Sequence, residues 1–175
     1  MLKLVCVIVM AFSIGNATAA EKWYSTPLGT IVVDVDSNWQ EMSSLPDAIE
    51  GIGFEVDNGK VMQFLLGTLE YLPRGSADRG TLRQLTNDLR RSDAEDKLTV
   101  SDELMSLTGS NFTGYYYFAT NPAAVPAPGD FKHMYTGFIA LGSDPVMFMI
   151  AWNAGGKTAA DRALATLKRL RVDRR

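Results

Sequence analysis

Apolar residues recur at every second position in several stretches of the chain and at helical spacing in two others. Thr30 to Val35 is rich in β-branched residues and reads as a strand, broken by the turn formers Asp36, Ser37 and Asn38. Ile52, Phe54 and Val56 alternate within a second strand, Glu50 to Val56, and the mostly apolar run Val61 to Tyr71 makes a third. Asp57-Asn58-Gly59 lies between them. Asn-Gly between two strands predicts a type I′ hairpin turn, which needs positive φ at both central residues. Leu82, Leu85 and Leu89 fall at i, i+3 and i+7 and predict a helix that turns Arg83, Asp88, Arg90 and Arg91 to water. Short strands near Leu98 to Ser101 and Leu104 to Thr108 precede three clearer ones: Phe112 to Thr120, Phe131 to Leu141 and Val146 to Ala154. A last helix is expected from about Thr158, with Thr158 and Asp161 in capping-box spacing. Its buried stripe is Ala160, Ala163, Leu164, Leu167 and Leu170, and Lys168, Arg169 and Arg171 crowd its C-terminal turn.

Hairpin-length links join most of these strands, so the expected class is α+β: a mainly antiparallel sheet of about six or seven strands flanked by helices. No repeat with a period of roughly 20–50 residues is visible. The first residues have a different layout. Lys3 precedes an apolar run from Leu4 to Gly15, and Ala17-Thr18-Ala19 is a small-x-small site, the three-part order of a secretory signal peptide cleaved after Ala19. The run is shorter than the roughly 18 apolar residues that span a bilayer. Residues 1–19 are therefore expected to leave, and 20–175 to form one domain that works in the periplasm or outside the cell. Cys6, the one cysteine of the chain, leaves with the peptide, so no disulfide, thiolate nucleophile or cysteine metal ligand is expected afterwards.

Charge removes two classes of partner. Cleavage takes one of the 17 basic residues and none of the 20 acidic ones, shifting the formal net charge from −3 to −4. Nucleic acid calls for a basic stripe, which is missing, and anionic lipid gains nothing from such a surface.

The motifs that invite a chemistry are incomplete. Gly156-Lys157-Thr158 ends like a phosphate-binding loop, but the leading glycine position holds Ala151 inside a strand, so no nucleotide is expected. Asp34, Asp36 and Asn38 match the first ligands of a calcium loop, yet Trp39 stands where glycine belongs and Leu45 where the bidentate acid belongs. Asp93, Glu95 and Asp96 read as a solvated helix end, without histidines to make a metal site. Asn111-Phe112-Thr113 spells a glycosylation sequon, as chance alone produces. No metal and no cofactor are expected. His133 is the single histidine, and any Ser-His-Asp mechanism would have to use it. Phe131, His133, Tyr135 and Gly137 share one strand face. Alternation sends Tyr115 and Tyr117 to one side of their strand, and Tyr116 and Phe118 to the other.

"GTIVVDVDSNW", the "FEVDNGKVMQFLLG" hairpin, the helix around "TLRQLTNDL" and the ending "YTGFIALGSDPVMFMIAWNAGGKTAADRALATLKRLRV" resemble, in order and pattern, the PsbP-like superfamily. That superfamily includes an extrinsic photosystem II protein, a Ran-binding nuclear import factor and small exported bacterial proteins. The resemblance spans Leu28 to Val172 and implies an antiparallel sheet covered by helices and a mostly non-enzymatic role. It carries no catalytic residues to transfer. The first functional expectation is thus an exported accessory protein that binds another exported or envelope protein. The second is a carrier of a lipid, glycan or small acid, with a groove edged by Tyr115, Tyr117 and Tyr135 beside His133. The third is a hydrolase that uses His133.

Overall fold

The computed structural model describes residues 20–26, 29–72, 74–125, 127 and 129–173; the expected signal peptide, Cys6 and the expected cleavage site at Ala19 lie outside them. In chain order the elements are β1 (Ala20–Thr26), β2 (Gly29–Val35), β3 (Gln40–Glu41), β4 (Ile49–Val56), β5 (Met62–Leu69), α1 (Arg79–Glu95), β6 (Thr99–Val100) and β7 (Met105–Thr108). They continue with β8 (Thr113–Thr120), β9 (His133–Leu141), β10 (Asp144–Trp152), α2 (Lys157–Arg169) and β11 (Arg171–Asp173).

The main sheet is antiparallel and runs β3-β4-β5-β10-β9-β8-β6, with β7 also paired to β8. It thus has eight strands where about six or seven were expected; the expected short strands near Leu98 and Leu104 form as β6 and β7, and the two-residue β3 is added at the far edge. A second sheet, β1-β2-β11, was not expected, since neither outer strand shows ordinary patterning. In β1 the apolar Trp23 is 54% exposed, while Lys22 reaches Glu41 at 2.5 Å and the Tyr24 hydroxyl donates to the same carboxylate at 3.0 Å. β11 has three residues, too few to alternate.

The β4–β5 hairpin forms as expected. Asn58 and Gly59 have φ of 50° and 74°, and the Lys60 N–H closes the turn on the Asp57 carbonyl at 3.0 Å. Asp78 caps α1, accepting from the Gly80 and Thr81 N–H groups at 2.8 and 3.0 Å. On that side of the sheet Leu82, Leu85 and Leu89 pack with Leu69, Phe138 and Met147. α2 and the small sheet cover the opposite face, where Trp39, Phe54, Phe64, Ile139, Phe148 and Leu167 are buried together.

The start of α2 differs from the capping-box reading. Gly156 is the N-cap and supplies no side-chain acceptor, Lys157 is already helical, and Thr158 is exposed. The reason is a tight exit from β10: the Gly156 N–H donates to the Asn153 carbonyl at 2.9 Å, and a β-carbon at 156 would collide with the Val61 carbonyl oxygen. Helix geometry therefore begins before Thr158, and Asp161 pairs with Lys157 instead of closing a box. Ala160, Ala163 and Leu167 are buried as the pattern requires.

Candidate binding cleft

Strand register decides which aromatic rings meet. Tyr117 lies opposite Thr136, and Phe118 lies opposite Tyr135. Cross-strand partners share a face, so Tyr115 and Tyr117 point toward α1 while Tyr116, Phe118, His133 and Tyr135 point toward α2. Tyr117 is wholly buried, and its hydroxyl donates to Asp93 Oδ2 at 2.6 Å. Tyr115 packs in the cluster beneath α1, with its carbonyl taking the Thr86 hydroxyl at 3.3 Å. The groove imagined between Tyr115, Tyr117 and Tyr135 is therefore not assembled. His133 and Tyr135 are brought together, with neighbours that pattern reading had not singled out.

Those neighbours are Phe118, Trp152, Met105 and Lys157, which with His133 and Tyr135 line a cleft of about 460 Å³. Tyr135 and Trp152 have ring centres 4.7 Å apart, Tyr116 meets Tyr135 edge-on at 5.7 Å, and Phe118 stacks against His133 at 5.9 Å. The face stays open here because only the first turn of α2 reaches it. Gly137, opposite Tyr116, adds no side chain, and a β-carbon there would collide with the Tyr116 backbone.

The Lys157 ammonium forms the rim. It stands 5.7 Å from the Tyr135 ring centre and 6.0 Å from that of Trp152, within cation–π range. It is also ion-paired with Asp161 one turn along, which raises its pKa first through that hydrogen bond. Exposed pairs at this spacing contribute about 0.3–0.5 kcal/mol, so the contact orients the lysine more than it stabilises the fold. Burial, and secondarily the Tyr135 hydroxyl, raise the Tyr116 pKa.

His133 sits in this cleft as a packing residue. Its Nδ1 shares a 3.2 Å hydrogen bond with the Thr120 hydroxyl, and burial, then Lys132, lower its pKa from 6.5. Among the described residues no carboxylate forms an ion pair with it, so the third member of a hydrolytic triad is not in place.

The remaining motif residues also have structural partners. Asp34 pairs with Arg169 at 3.3 Å and Asp36 with Arg162 at 3.6 Å, which latches the end of β2 and the turn after it to α2. Asn38 is exposed. Asp93 bonds Tyr117, while Glu95 and Asp96 face water. Among the described residues no three His, Cys, Asp or Glu side chains are grouped to hold a metal, and no helix is long and apolar enough to cross a membrane. Ala151, at the leading position of the nucleotide motif, is paired across the sheet to both Gln63 and Met134.

The two-sheet sandwich with its flanking helices is the PsbP-like α+β fold. The solution structure of cyanobacterial PsbP (CyanoP) from Synechocystis sp. PCC 6803 is similar, with a TM-score of 0.56 over 92% of this chain and 96% of that one. Sequence identity between the two is 9%, so the likeness is one of fold. Neither a family model nor a curated protein sequence matches the chain.

Proposed function

We propose that this protein is an exported, non-catalytic accessory protein that binds another exported or envelope protein through the aromatic cleft. One observation carries the reading: a face of the sheet that is otherwise covered leaves Phe118, His133 and Tyr135 partly exposed in one patch beside a cation. Exposed aromatic groups of this kind anchor interfaces, because large rigid rings exclude water at little entropic cost. The export pattern of the first residues and the PsbP-like fold agree with it. The test is purification of the tagged chain from its own host under mild conditions, beside Phe118→Ala. A stoichiometric partner held by the wild type and lost with the variant, with the variant still folded by circular dichroism, is expected. Repeated isolation of the wild type alone would defeat the reading.

The cleft volume of about 460 Å³ favours a second reading, since small-ligand pockets run from about 300 to 1,000 Å³ and are mostly apolar. A carrier would be stabilised by its ligand, by about 2.7 kcal/mol at 100 times Kd. A thermal-shift screen of lipids, glycans and small acids that moves nothing removes it.

A further inference from the structure

An aromatic cleft ordinarily welcomes a cation, because the ring faces are electron-rich. Here that place is taken. Lys157 Nζ already stands within 6.0 Å of the Tyr135 and Trp152 ring centres, tethered by its own backbone. An incoming lysine or arginine would have to push aside a like charge that remains attached at the rim. A carboxylate meets the opposite situation. The acid against Lys157 is Asp161, whose side chain is 53% exposed, so an arriving carboxylate can share or replace it without stranding a buried charge. Lys132, on the approach to β9, adds a second exposed positive charge near His133. Asp130, the acid two positions before it, is engaged by the Val125 N–H at 3.3 Å. The N-cap of α2 contributes no side-chain acceptor to this rim.

We infer that the cleft selects a polypeptide segment in which an apolar side chain is flanked by carboxylates, the rings taking the first and Lys157 the second. This rests on the binding role proposed above and names the chemistry of the partner. A segment of a larger body fits better than an enclosed small molecule, because the cleft is open along one side and leaves Phe118, His133 and Tyr135 partly exposed there.

The probes are acetyl-Glu-Phe-Glu-amide, acetyl-Lys-Phe-Lys-amide and acetyl-Glu-Ala-Glu-amide, titrated into the ¹⁵N-labelled chain and followed by amide and indole NMR shifts. The acidic phenylalanine peptide should shift Phe118, Tyr135, Lys157 and the Trp152 indole, and bind about tenfold tighter than either other peptide. Lys157→Gln should erase the preference over the basic peptide, and Lys157→Glu should reverse it, both at wild-type thermal stability. Equal binding of acidic and basic peptides, or a preference that survives Lys157→Glu, would overturn the inference. So would shifts from indole-3-propionate with none from any peptide, which would assign the cleft to small acids. If Phe118→Ala releases the native partner but no charge preference is found, this inference fails and the binding role stands. If neither is found, both fail.

Discussion

The Tyr117 hydroxyl donates to Asp93 Oδ2 at 2.6 Å, joining a wholly buried residue of β8 to the last turns of α1. Removing the donor leaves a half-buried carboxylate with a lost partner. Tyr117→Phe should therefore cost about 1–3 kcal/mol in urea unfolding, more than a surface change would.

The same pair makes stability depend on pH. Burial raises the Asp93 pKa, outweighing the Tyr117 hydrogen bond, and Asp96 adds to the rise. The folded state then holds the proton more tightly than the unfolded chain, whose aspartate titrates near 3.8. Between the two values folding takes up a proton, so stability falls as pH rises through that window. Asp93→Asn should lose this part of the slope and gain on the wild type as pH rises. Parallel slopes for the two proteins would refute the assignment.

Asn153 is a buried knot. Its Nδ2 donates to the Lys60 and Asp130 carbonyls at 3.1 and 3.0 Å, and its Oδ1 accepts from the Lys132 N–H at 3.0 Å. Asn153→Ala leaves those three groups unpaired at a site where the residue is 4% exposed, and should cost at least about 2 kcal/mol. Asn153→Asp should be worse at neutral pH, because a carboxylate would face two carbonyl oxygens. Thermal melts of the two variants decide the order.

The start of α2 yields a third ranking. Gly156→Ala drives a β-carbon into the Val61 carbonyl and should cost about 1–3 kcal/mol. Thr158→Ala and Lys157→Ala touch exposed positions and should stay within about 0.5 kcal/mol. Leu167→Ala empties a fully buried position and should cost about 2–5 kcal/mol.

The single histidine offers a clean spectroscopic check. Burial and Lys132 disfavour the His133 imidazolium, so its NMR titration midpoint should lie below 6.5, and Lys132→Ala should move it upward. A midpoint above 6.5 would mean an acid stands closer than the geometry shows.

The class of fold was legible because its helices each bury one apolar stripe and its long strands, covered on both faces, are apolar runs set off by turn residues. The Leu82-Leu85-Leu89 stripe and the apolar runs of β5 and β10 carry that signal directly. β1 was illegible for a physical reason: Trp23 is turned to solvent, while Lys22, on the face where Tyr24 packs against the core, stays at the surface in an ion pair with Glu41. The site was half legible. Alternation separates Tyr116 and Phe118 from Tyr115 and Tyr117 and places His133 with Tyr135, but only register brings Phe118 opposite Tyr135 and Trp152 opposite His133. Lys157 escaped because its spelling pointed to phosphate, whereas its position over two rings depends on where the helix starts.

The two neighbours of β2 in the small sheet come from opposite parts of the sequence: β1 lies just before it, and β11 follows every other element. The ion pair between Glu21 and Arg171 spans 150 positions. A chain made N-terminus first must therefore keep Thr30, Ile31 and Val32 waiting for their β11 partners until the strands and helices between have been made. Loop closure over such a distance is slow relative to local pairing. The small sheet thus gains its third strand only once the residues between β2 and β11 have been made.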